Sequence, residues 1–258
     1  MSFKLAVLTL LVLNVSSLWA KELVIISDLD ETLRIANVEK KFKAGIKLIG
    51  GVKPYEGLTA IFQDIKLKNP DAKFYYLSNS YPFLYNGKRW VRENGLPEGE
   101  VFQRSLKDKS DTFKAEKLKL IGANHTQDSI LMFGDNIEHD PTFYSNFKEQ
   151  SQLTDIRIFI RDARLLLTEN ADITYFQTDA QLTDVLEVSP ETTAKINALS
   201  FNKLVPKFLV KNLRSRLIKE CKTAAISCSE VADARVQEVL STIAPTAELD
   251  LLANDEME

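Results

Sequence analysis

The sequence predicts an α/β fold in which a parallel β-sheet is covered by helices on both faces. Short apolar runs rich in β-branched and aromatic residues alternate with longer segments whose apolar residues recur at helical spacing. The runs are apolar throughout, which is typical of strands buried on both sides of a parallel sheet. Strand and helix in alternation form the pattern from which such sheets are built. At 258 residues the chain is long enough for one sizeable domain with an appendage.

Four runs are interpreted as strands, and a fifth is a further candidate. They are LVII at 23–26, FYYL at 74–77, ILMF at 130–133, IRIFI at 156–160 and the candidate ITYF at 173–176. The segment GLTAIFQDIKLK between the first two has the apolar spacing of one helix face, through Leu58, Ile61, Phe62 and Ile65. Ligands of such sheets bind beyond the carboxyl ends of the strands, so the residues that follow each run are candidates for chemistry.

Acidic and polar residues follow three of these runs directly. They read SDLDET after the first run, SNS after the second and GDNIEHD after the third. Carboxylates as close as Asp28 and Asp30 resist joint ionisation unless a positive charge offsets them. A magnesium ion bridged by Asp28 and Asp135, together with a lysine, would supply that charge.

Together these strand ends have the residue types that phosphoryl transfer requires. Asp28 can attack phosphorus and form an aspartyl-phosphate. Asp30 projects to the same side of an extended segment and can protonate the leaving oxygen, then deprotonate the attacking water. Ser78 offers a hydroxyl group to a phosphate oxygen. These are the positioning and electrostatic roles that make up most of phosphoryl transfer.

The pattern D-x-D-x-T in SDLDETL, the serine in YYLSNS, an upstream lysine and GDNIEHD resemble the four motifs of the haloacid dehalogenase (HAD) superfamily. Segments from ISDLDETLRIANV to IRIFIRD also resemble the catalytic domain of the actin-patch type of phosphatidate phosphatase and its bacterial relatives. This resemblance covers residues 22 to about 180. It implies a HAD-like, Rossmann-like three-layer sandwich, and the short motif separations leave room only for a small cap or none.

The resemblance also implies roles for individual residues. Asp28 is the expected nucleophile, Asp30 the acid/base, and Thr32 a support for the loop between them. Ser78 and Asn79 are expected to contact phosphate, together with Lys114, which lies 21 residues before Asp135. Lys117, one turn further along the same helix, is the alternative lysine. Expected ligands of Mg²⁺ are Asp28, Asp135, the backbone carbonyl of Asp30, and Asp140 as a direct ligand or as an orienting residue.

Three other residues near these motifs have competing interpretations. Glu31 is interpreted as a solvated loop residue rather than a ligand. His139 lies within the fourth motif and would suit a base, but without a discernible partner it is interpreted as an exposed loop residue. Trp90 is expected to be a packing aromatic.

The expected domain organisation is a signal peptide at 1–20, a phosphatase domain at 21–188 and a helical appendage with an acidic tail at 189–258. Ser189 and Pro190 have the residue types of a helix start, and Pro206 is expected to break or start a helix. Residues 201–222 hold seven Lys or Arg beside an apolar stripe. They are interpreted either as a helix packed on the α/β domain, the favoured alternative, or as a peripheral membrane contact.

The first twenty residues predict a periplasmic or secreted location, since Lys4 precedes a short apolar run that ends in small residues. In that compartment Cys221 and Cys228 could form a disulfide bond. Two free thiols are also compatible with the sequence. The formal net charge is −3, so nucleic acid is not an expected partner. No later segment is long enough for a membrane span.

The expected activity is hydrolysis of phosphomonoesters, with phosphatidate as the substrate class that the resemblance implies. A small soluble phosphate ester is the rival substrate. A phosphomutase would use the same acids. A non-catalytic module that binds lipid or the cell envelope on the same scaffold is the alternative of another class.

Overall fold

The computed structural model describes residues 21–35, 52–151, 153, 155–166, 169–199, 205–220 and 228–243. The expected signal peptide, the acidic tail and Cys221 lie outside these residues. Within the described ranges the chain forms six strands, seven α-helices and one 3-10 helix. No helix in these ranges is both long and apolar enough to span a membrane.

The six strands form a single sheet that is parallel throughout, so the predicted α/β fold is confirmed. The order of strands across the sheet is β3-β2-β1-β4-β5-β6. All five predicted strands are present; β6 has the predicted bounds, and the other four are longer by up to two residues at an end. The bounds of the strands are β1 Leu23–Asp28, β2 Lys73–Ser78, β3 Glu100–Gln103, β4 Ser129–Asp135, β5 Ile156–Arg161 and β6 Ile173–Phe176.

Strand β3 is the strand that the sequence analysis did not predict. It is four residues long, begins with a glutamate and ends with a glutamine, and none of its residues is fully buried. It pairs with β2 over Tyr75 to Ser78 at one edge of the sheet. Backbone pairing rather than an apolar pattern therefore determines this strand.

The helices lie on both faces of the sheet or follow its last strand. The predicted helix over 57–68 is observed as α1, and Ser189 caps α5 by accepting a hydrogen bond from the backbone N–H of Thr192 (3.3 Å). Helix α6 begins directly after Pro206, as expected. The bounds are α1 Glu56–Lys68, α2 Gly87–Glu93, α3 Phe113–Asn124, α4 Asp140–Gln150, the 3-10 helix Asp179–Leu182, α5 Pro190–Asn197, α6 Lys207–Glu220 and α7 Cys228–Ile243.

Alternate strand residues face two separate cores. Ile25 of β1 and Phe133 of β4 pack with α1, α2 and Ile196 of α5 on one face. Val24 of β1 and Met132 of β4 pack with α3 and α4 on the other. The period of two along each strand explains why both faces of the sheet are apolar.

Helices α6 and α7 form a third core beside the sheet. Leu209 and Leu213 of α6 pack against α7 and against Ala163 and Leu165, which follow β5. Within the apolar stripe predicted in residues 201–222, Leu209 and Leu213 are buried and Leu217 is partly buried, which favours packing over membrane contact. Residues 201–204, 221 and 222 lie outside the described ranges.

The order of strands places the catalytic candidates at one crevice. Strands β1 and β4 are neighbours at the centre of the sheet, but β1 leads to β2 on one side and β4 leads to β5 on the other. Open α/β sheets bind ligands at such a switch point, beyond the carboxyl ends of the strands. Asp28 and Asp135 are the last residues of β1 and β4 and therefore flank this crevice.

Candidate active site

Asp28 and Lys114 form a buried ion pair at the crevice. Lys114 lies in the first turn of α3, which begins at the carboxyl edge of the sheet, and its side chain is fully buried. The distance between its Nζ and Oδ1 of Asp28 is 2.8 Å. Oδ2 of Asp28 is also buried, and it has no hydrogen-bond partner among the described residues. One oxygen of Asp28 is thus held in place while the other is left for a ligand.

Asp135 and Asp140 complete a carboxylate cluster with Asp28. One oxygen atom from each of the three lies within 4.8 Å of the others, and all three side chains are buried. Asp140, the first residue of α4, forms an ion pair with Lys114 and accepts a hydrogen bond from the backbone N–H of Asp135 (3.4 Å). A Cβ on Gly134 would lie 2.7 Å from Cβ of Asp140, so the glycine allows this close approach.

The carboxylate cluster is short of positive charge. Burial raises the pKa of Asp28, Asp135 and Asp140, and the neighbouring carboxylates raise the pKa of Asp28 and Asp135 further, although Lys114 opposes the rise at each. Burial disfavours the charge on Lys114, but the carboxylates of Asp140, Asp28 and Glu138 outweigh it and raise the pKa of the lysine. Three carboxylates beside one ammonium group leave an excess of negative charge.

The residues of this cluster fit a bound divalent cation. Oxygen ligands from carboxylates are those that Mg²⁺ prefers, and the unpartnered Oδ2 of Asp28 is a ligand atom already stripped of water. The other oxygens are oriented by the protein, since Oδ1 of Asp135 accepts hydrogen bonds from the backbone N–H groups of Ile137 (2.7 Å) and Glu138 (3.3 Å). A cation here would offset the excess charge.

Asp30 lies beside the cluster and is held by four donors. Its Oδ1 is 2.6 Å from Nη1 of Arg34. Its Oδ2 accepts hydrogen bonds from the hydroxyl groups of Ser78 (2.9 Å), Ser80 (2.9 Å) and Tyr85 (3.2 Å). The guanidinium group of Arg34 also lies 3.7 Å from the centre of the Tyr85 ring. This network fixes the position of the carboxylate that the sequence assigned to proton transfer.

Ser78 and Asn79 reach the site from the end of β2. The Ser78 hydroxyl is buried and donates to Asp30, and it accepts a hydrogen bond from the backbone N–H of Ser80 (3.1 Å). The Asn79 amide nitrogen donates to Oε2 of Glu138 (3.0 Å). Glu138 is in turn 3.5 Å from Nζ of Lys114, so these residues join the two sides of the crevice.

The loop after Asp28 is a tight, buried turn. Glu31 is 1% exposed and has a φ of 62°, and its backbone N–H donates to the carbonyl oxygen of Arg34 (2.8 Å). The interpretation of Glu31 as a solvated residue is therefore wrong, because the turn closes against the domain and carries the side chain inward. The Thr32 hydroxyl is 3.4 Å from Oδ2 of Asp135, which links this loop to β4.

The structure also shows the surroundings of the two candidate lysines, His139 and Trp90. Lys114 enters the site, whereas Nζ of Lys117 lies over the rings of Phe102 (5.5 Å) and Phe113 (5.7 Å). His139 is exposed, as expected. Trp90 is 9% exposed and packs in the core, with its indole N–H donating to the carbonyl oxygen of Val52 (2.9 Å), so its packing role is confirmed.

Sequence reasoning missed four residues that contact the site. Glu138 lies within GDNIEHD, which follows the third predicted strand, so its place in the sequence could have identified it as a site residue. Ser80 likewise lies within SNS, which follows the second predicted strand, whereas Arg34 and Tyr85 follow the first and second motifs in irregular segments, where no periodicity indicates which side chains turn inward. Only the folded loops bring these three to Asp30.

No curated protein matched this chain. Among protein families, the one described as "Phosphatidate phosphatase APP1, catalytic domain" matches residues 23–162. This segment covers more than half of the chain and contains all of the site residues described above. The six-stranded parallel sheet and the crevice between β1 and β4 lie largely within the same segment. The chain therefore belongs to the family of the phosphatidate phosphatase APP1 catalytic domain, which is a family of phosphatases.

Proposed function

We propose that this protein is a Mg²⁺-dependent phosphomonoester hydrolase of the HAD type that works through an aspartyl-phosphate on Asp28. The observation that carries the proposal is the state of Asp28 itself. One of its oxygens pairs with Lys114, and the other is buried without a partner among the described residues, at the switch point of the sheet. A desolvated, oriented carboxylate beside a cation is suited to nucleophilic attack.

Each side chain then has a defined task in two displacements. A carboxylate oxygen of Asp28 attacks phosphorus, the bond from phosphorus to the ester oxygen breaks, and Asp30 gives its proton to the leaving oxygen. Water next attacks the same phosphorus and gives a proton to Asp30, and the bond to Asp28 breaks to release inorganic phosphate. Lys114 stabilises the negative charge during both displacements.

The contacts of Asp30 imply a rearrangement during this cycle. Its two oxygens accept four hydrogen bonds, from Arg34, Ser78, Ser80 and Tyr85. To protonate a leaving group, Asp30 must first take up a proton from solvent and exchange one of these contacts for the ester oxygen. Loss of the Ser78 contact would also free that hydroxyl for a phosphate oxygen, with Asn79 beside it.

Magnesium would be held by Asp28 and Asp135, with the backbone carbonyl of Asp30, and Asp140 would bind it directly or orient the other ligands. When bound, the ion would cancel part of the negative charge on the phosphate group and allow an anionic nucleophile to approach. The excess of negative charge in the carboxylate cluster supports this assignment.

We propose phosphatidate as the substrate class because the family is that of a phosphatidate phosphatase catalytic domain. The site residues described above would contact only the phosphoryl group, so a small soluble phosphate ester is the competing substrate. Residues 1–20 support action in the periplasm or outside the cell.

The test is phosphate release from an aryl phosphate and from phosphatidate in vesicles, each with Mg²⁺ and with a chelator. Asp28→Asn keeps the size of the side chain and should abolish both activities, whereas Asp172→Asn changes an exposed aspartate and should leave them unchanged. A beryllium fluoride adduct on Asp28 in a crystal would give direct evidence for the nucleophile.

The outcomes separate the competing functions. Activity on vesicles well above that on soluble esters supports phosphatidate as the substrate. Activity on soluble esters alone favours the rival substrate. An active Asp28→Asn variant overturns the nucleophile, and an inactive native protein that still binds vesicles supports the non-catalytic module.

A further inference from the structure

We propose that the loops after β2 and β3 form a docking surface for an anionic lipid bilayer at the mouth of the site. Such docking would bring a lipid substrate to the site, and in that respect the inference rests on the proposed function. The observations that support it do not depend on the roles of the catalytic residues. We call this surface the docking rim. It consists of Tyr81, Phe83, Arg104, Leu106, Lys107 and Lys109.

The docking rim exposes two large apolar side chains near the site. Phe83 is 69% exposed and Leu106 is 78% exposed. Both belong to loops that leave their strands at the carboxyl end, where Asp28 also lies. A single exposed apolar residue is ordinary. Two large ones on neighbouring loops beside the crevice are unfavourable in water and indicate a contact surface.

Local contacts hold these loops in place. The rings of Tyr81 and Phe83 stack with their centres 5.2 Å apart and their planes 11° from parallel. The guanidinium group of Arg104 lies 4.4 Å from the centre of the Tyr81 ring, which joins the second loop to the first. The backbone N–H of Arg104 donates to the carbonyl oxygen of Ser78 (3.1 Å). The outward position of Phe83 is therefore built into the fold.

The side chain of Gln103, the last residue of β3, also contacts the segment that follows β2. Its amide nitrogen donates to the carbonyl oxygen of Tyr85 (3.2 Å), and its amide oxygen accepts from the backbone N–H of Gly87 (2.8 Å). Tyr85 is the residue whose hydroxyl group contacts Asp30. The docking rim is thus connected directly to the walls of the site.

The charge of the docking rim complements an anionic bilayer. The chain as a whole carries a formal net charge of −3, which a negative surface repels. Lys107 and Lys109 are exposed on either side of Asp108, whose carboxylate accepts a hydrogen bond from the backbone N–H of Ser105 (2.7 Å). Basic side chains around apolar tips are the usual composition of a surface that binds the bilayer interface.

The observations favour a bilayer over a protein partner. A specific protein interface buries about 800 Å² on each partner and has a well-packed core. The docking rim instead presents two exposed apolar side chains, Phe83 and Leu106, and two exposed lysines that follow Leu106 in the same loop. On the other side of the crevice, Leu209 and Leu213 of the basic helix α6 are buried against α7 and the β5 loop. The docking rim is therefore the better candidate for contact with lipid.

The test is binding of the full chain to sedimented vesicles of phosphatidylcholine with about one fifth phosphatidylglycerol, a lipid that is anionic but is not a phosphomonoester. The double variant Phe83→Ser with Leu106→Ser should bind at least tenfold more weakly than the native protein. The matched control is Leu67→Ser with Leu120→Ser, which removes exposed leucines from α1 and α3 and should bind like the native protein.

A second variant examines the electrostatic part of the inference. Lys107→Glu with Lys109→Glu should weaken binding about tenfold or more at low salt, with a smaller loss at high salt. All variants should keep the thermal unfolding midpoint and the aryl phosphatase activity of the native protein, because the docking rim lies outside the carboxylate cluster. Native-like binding by both double variants, or equal losses in the leucine control, would overturn the inference.

This design distinguishes failure of the inference from failure of the proposed function. If the native protein cleaves aryl phosphate but binds vesicles independently of the docking rim, the docking inference fails alone. If binding depends on the docking rim but no phosphate ester is cleaved, the proposed function fails and the docking surface stands. If binding requires a protein partner in place of lipid, the bilayer proposal is overturned.

Discussion

Lys114 and Lys117 have different surroundings although they lie one turn apart on the same helix. Lys114 is fully buried against Asp28 and Asp140, whereas Lys117 rests on the rings of Phe102 and Phe113. The sequence spacing favoured Lys114 but could not exclude Lys117, because both residues lie on one face of α3. The choice depends on which turn of the helix faces the carboxylate cluster.

We expect Lys114→Met to lower kcat for an aryl phosphate by at least about 100-fold, because it removes the cation that stabilises charge during phosphoryl transfer. Steady-state kinetics at saturating Mg²⁺ provide the measurement. Lys117→Met is the matched control and should change kcat by less than about threefold, since no carboxylate of the cluster depends on it. Equal effects of the two substitutions would contradict the assignment.

Glu31 illustrates a limit of residue-level reasoning. Exposure is the usual state of a glutamate, and that base rate led to the wrong interpretation. The positive φ at Glu31 and the hydrogen bond of its backbone N–H with the carbonyl oxygen of Arg34 close the turn and carry the side chain inward. A sequence does not reveal such a turn, because the strained conformation is maintained by contacts elsewhere in the fold.

At the scale of elements, Arg161 holds three segments together behind the site. It is the last residue of β5 and is 1% exposed. Its Nη2 is 2.5 Å from Oδ1 of Asp179 in the 3-10 helix, and its Nε donates to the carbonyl oxygen of Thr32 (3.2 Å). Its guanidinium group also lies 3.7 Å from the centre of the Tyr55 ring. The turn that carries Asp30 is therefore supported from β5.

Arg161→Met should lower the free energy of unfolding by about 3–5 kcal/mol, because it leaves Asp179 buried without its cation. Urea unfolding at fixed Mg²⁺ concentration gives the measurement. Arg157→Met, on the same strand but at an exposed position, should cost no more than about 1 kcal/mol. A loss at Arg161 as small as that at Arg157 would show that the ion pair is not a main support of the loop.

At the scale of the whole molecule, the carboxylate cluster links stability to pH and to metal. The pKa values of Asp28, Asp135 and Asp140 are raised in the folded state. In the unfolded chain an aspartate titrates near about 3.9, so above that pH the folded state binds more protons than the unfolded state. In the absence of metal, the stability that proton binding to these three aspartates contributes is lost as pH rises from about 3.9 through their raised pKa values.

Magnesium should therefore raise the thermal unfolding midpoint, and the increase should grow with pH because the metal competes with protons for the same oxygens. The measurement is the difference in midpoint between samples with Mg²⁺ and samples with a chelator. It is made at several pH values from about 5 upward, which is above the ordinary pKa of a carboxyl group. Asp135→Asn should remove most of this difference. A midpoint that is indifferent to Mg²⁺ at neutral pH would argue against a metal in the cluster.

The sequence by itself determined the fold class and most of the catalytic candidates. Buried parallel strands need continuous apolar runs, so β1, β2 and β4 were visible, and the residues that follow them had to meet at one edge of the sheet. For that reason Asp28, Asp30, Ser78 and Asp135 were identified without coordinates.

Tertiary structure alone decided the edge strand β3, the inward turn of Glu31, the choice of Lys114 and the contacts of Arg34, Ser80 and Tyr85 with Asp30. Each of these depends on segments that are distant in sequence or irregular in conformation, where no periodic pattern indicates which side chains face inward. A local pattern records which face of an element is buried. The direction of a loop side chain is set by the whole fold around it.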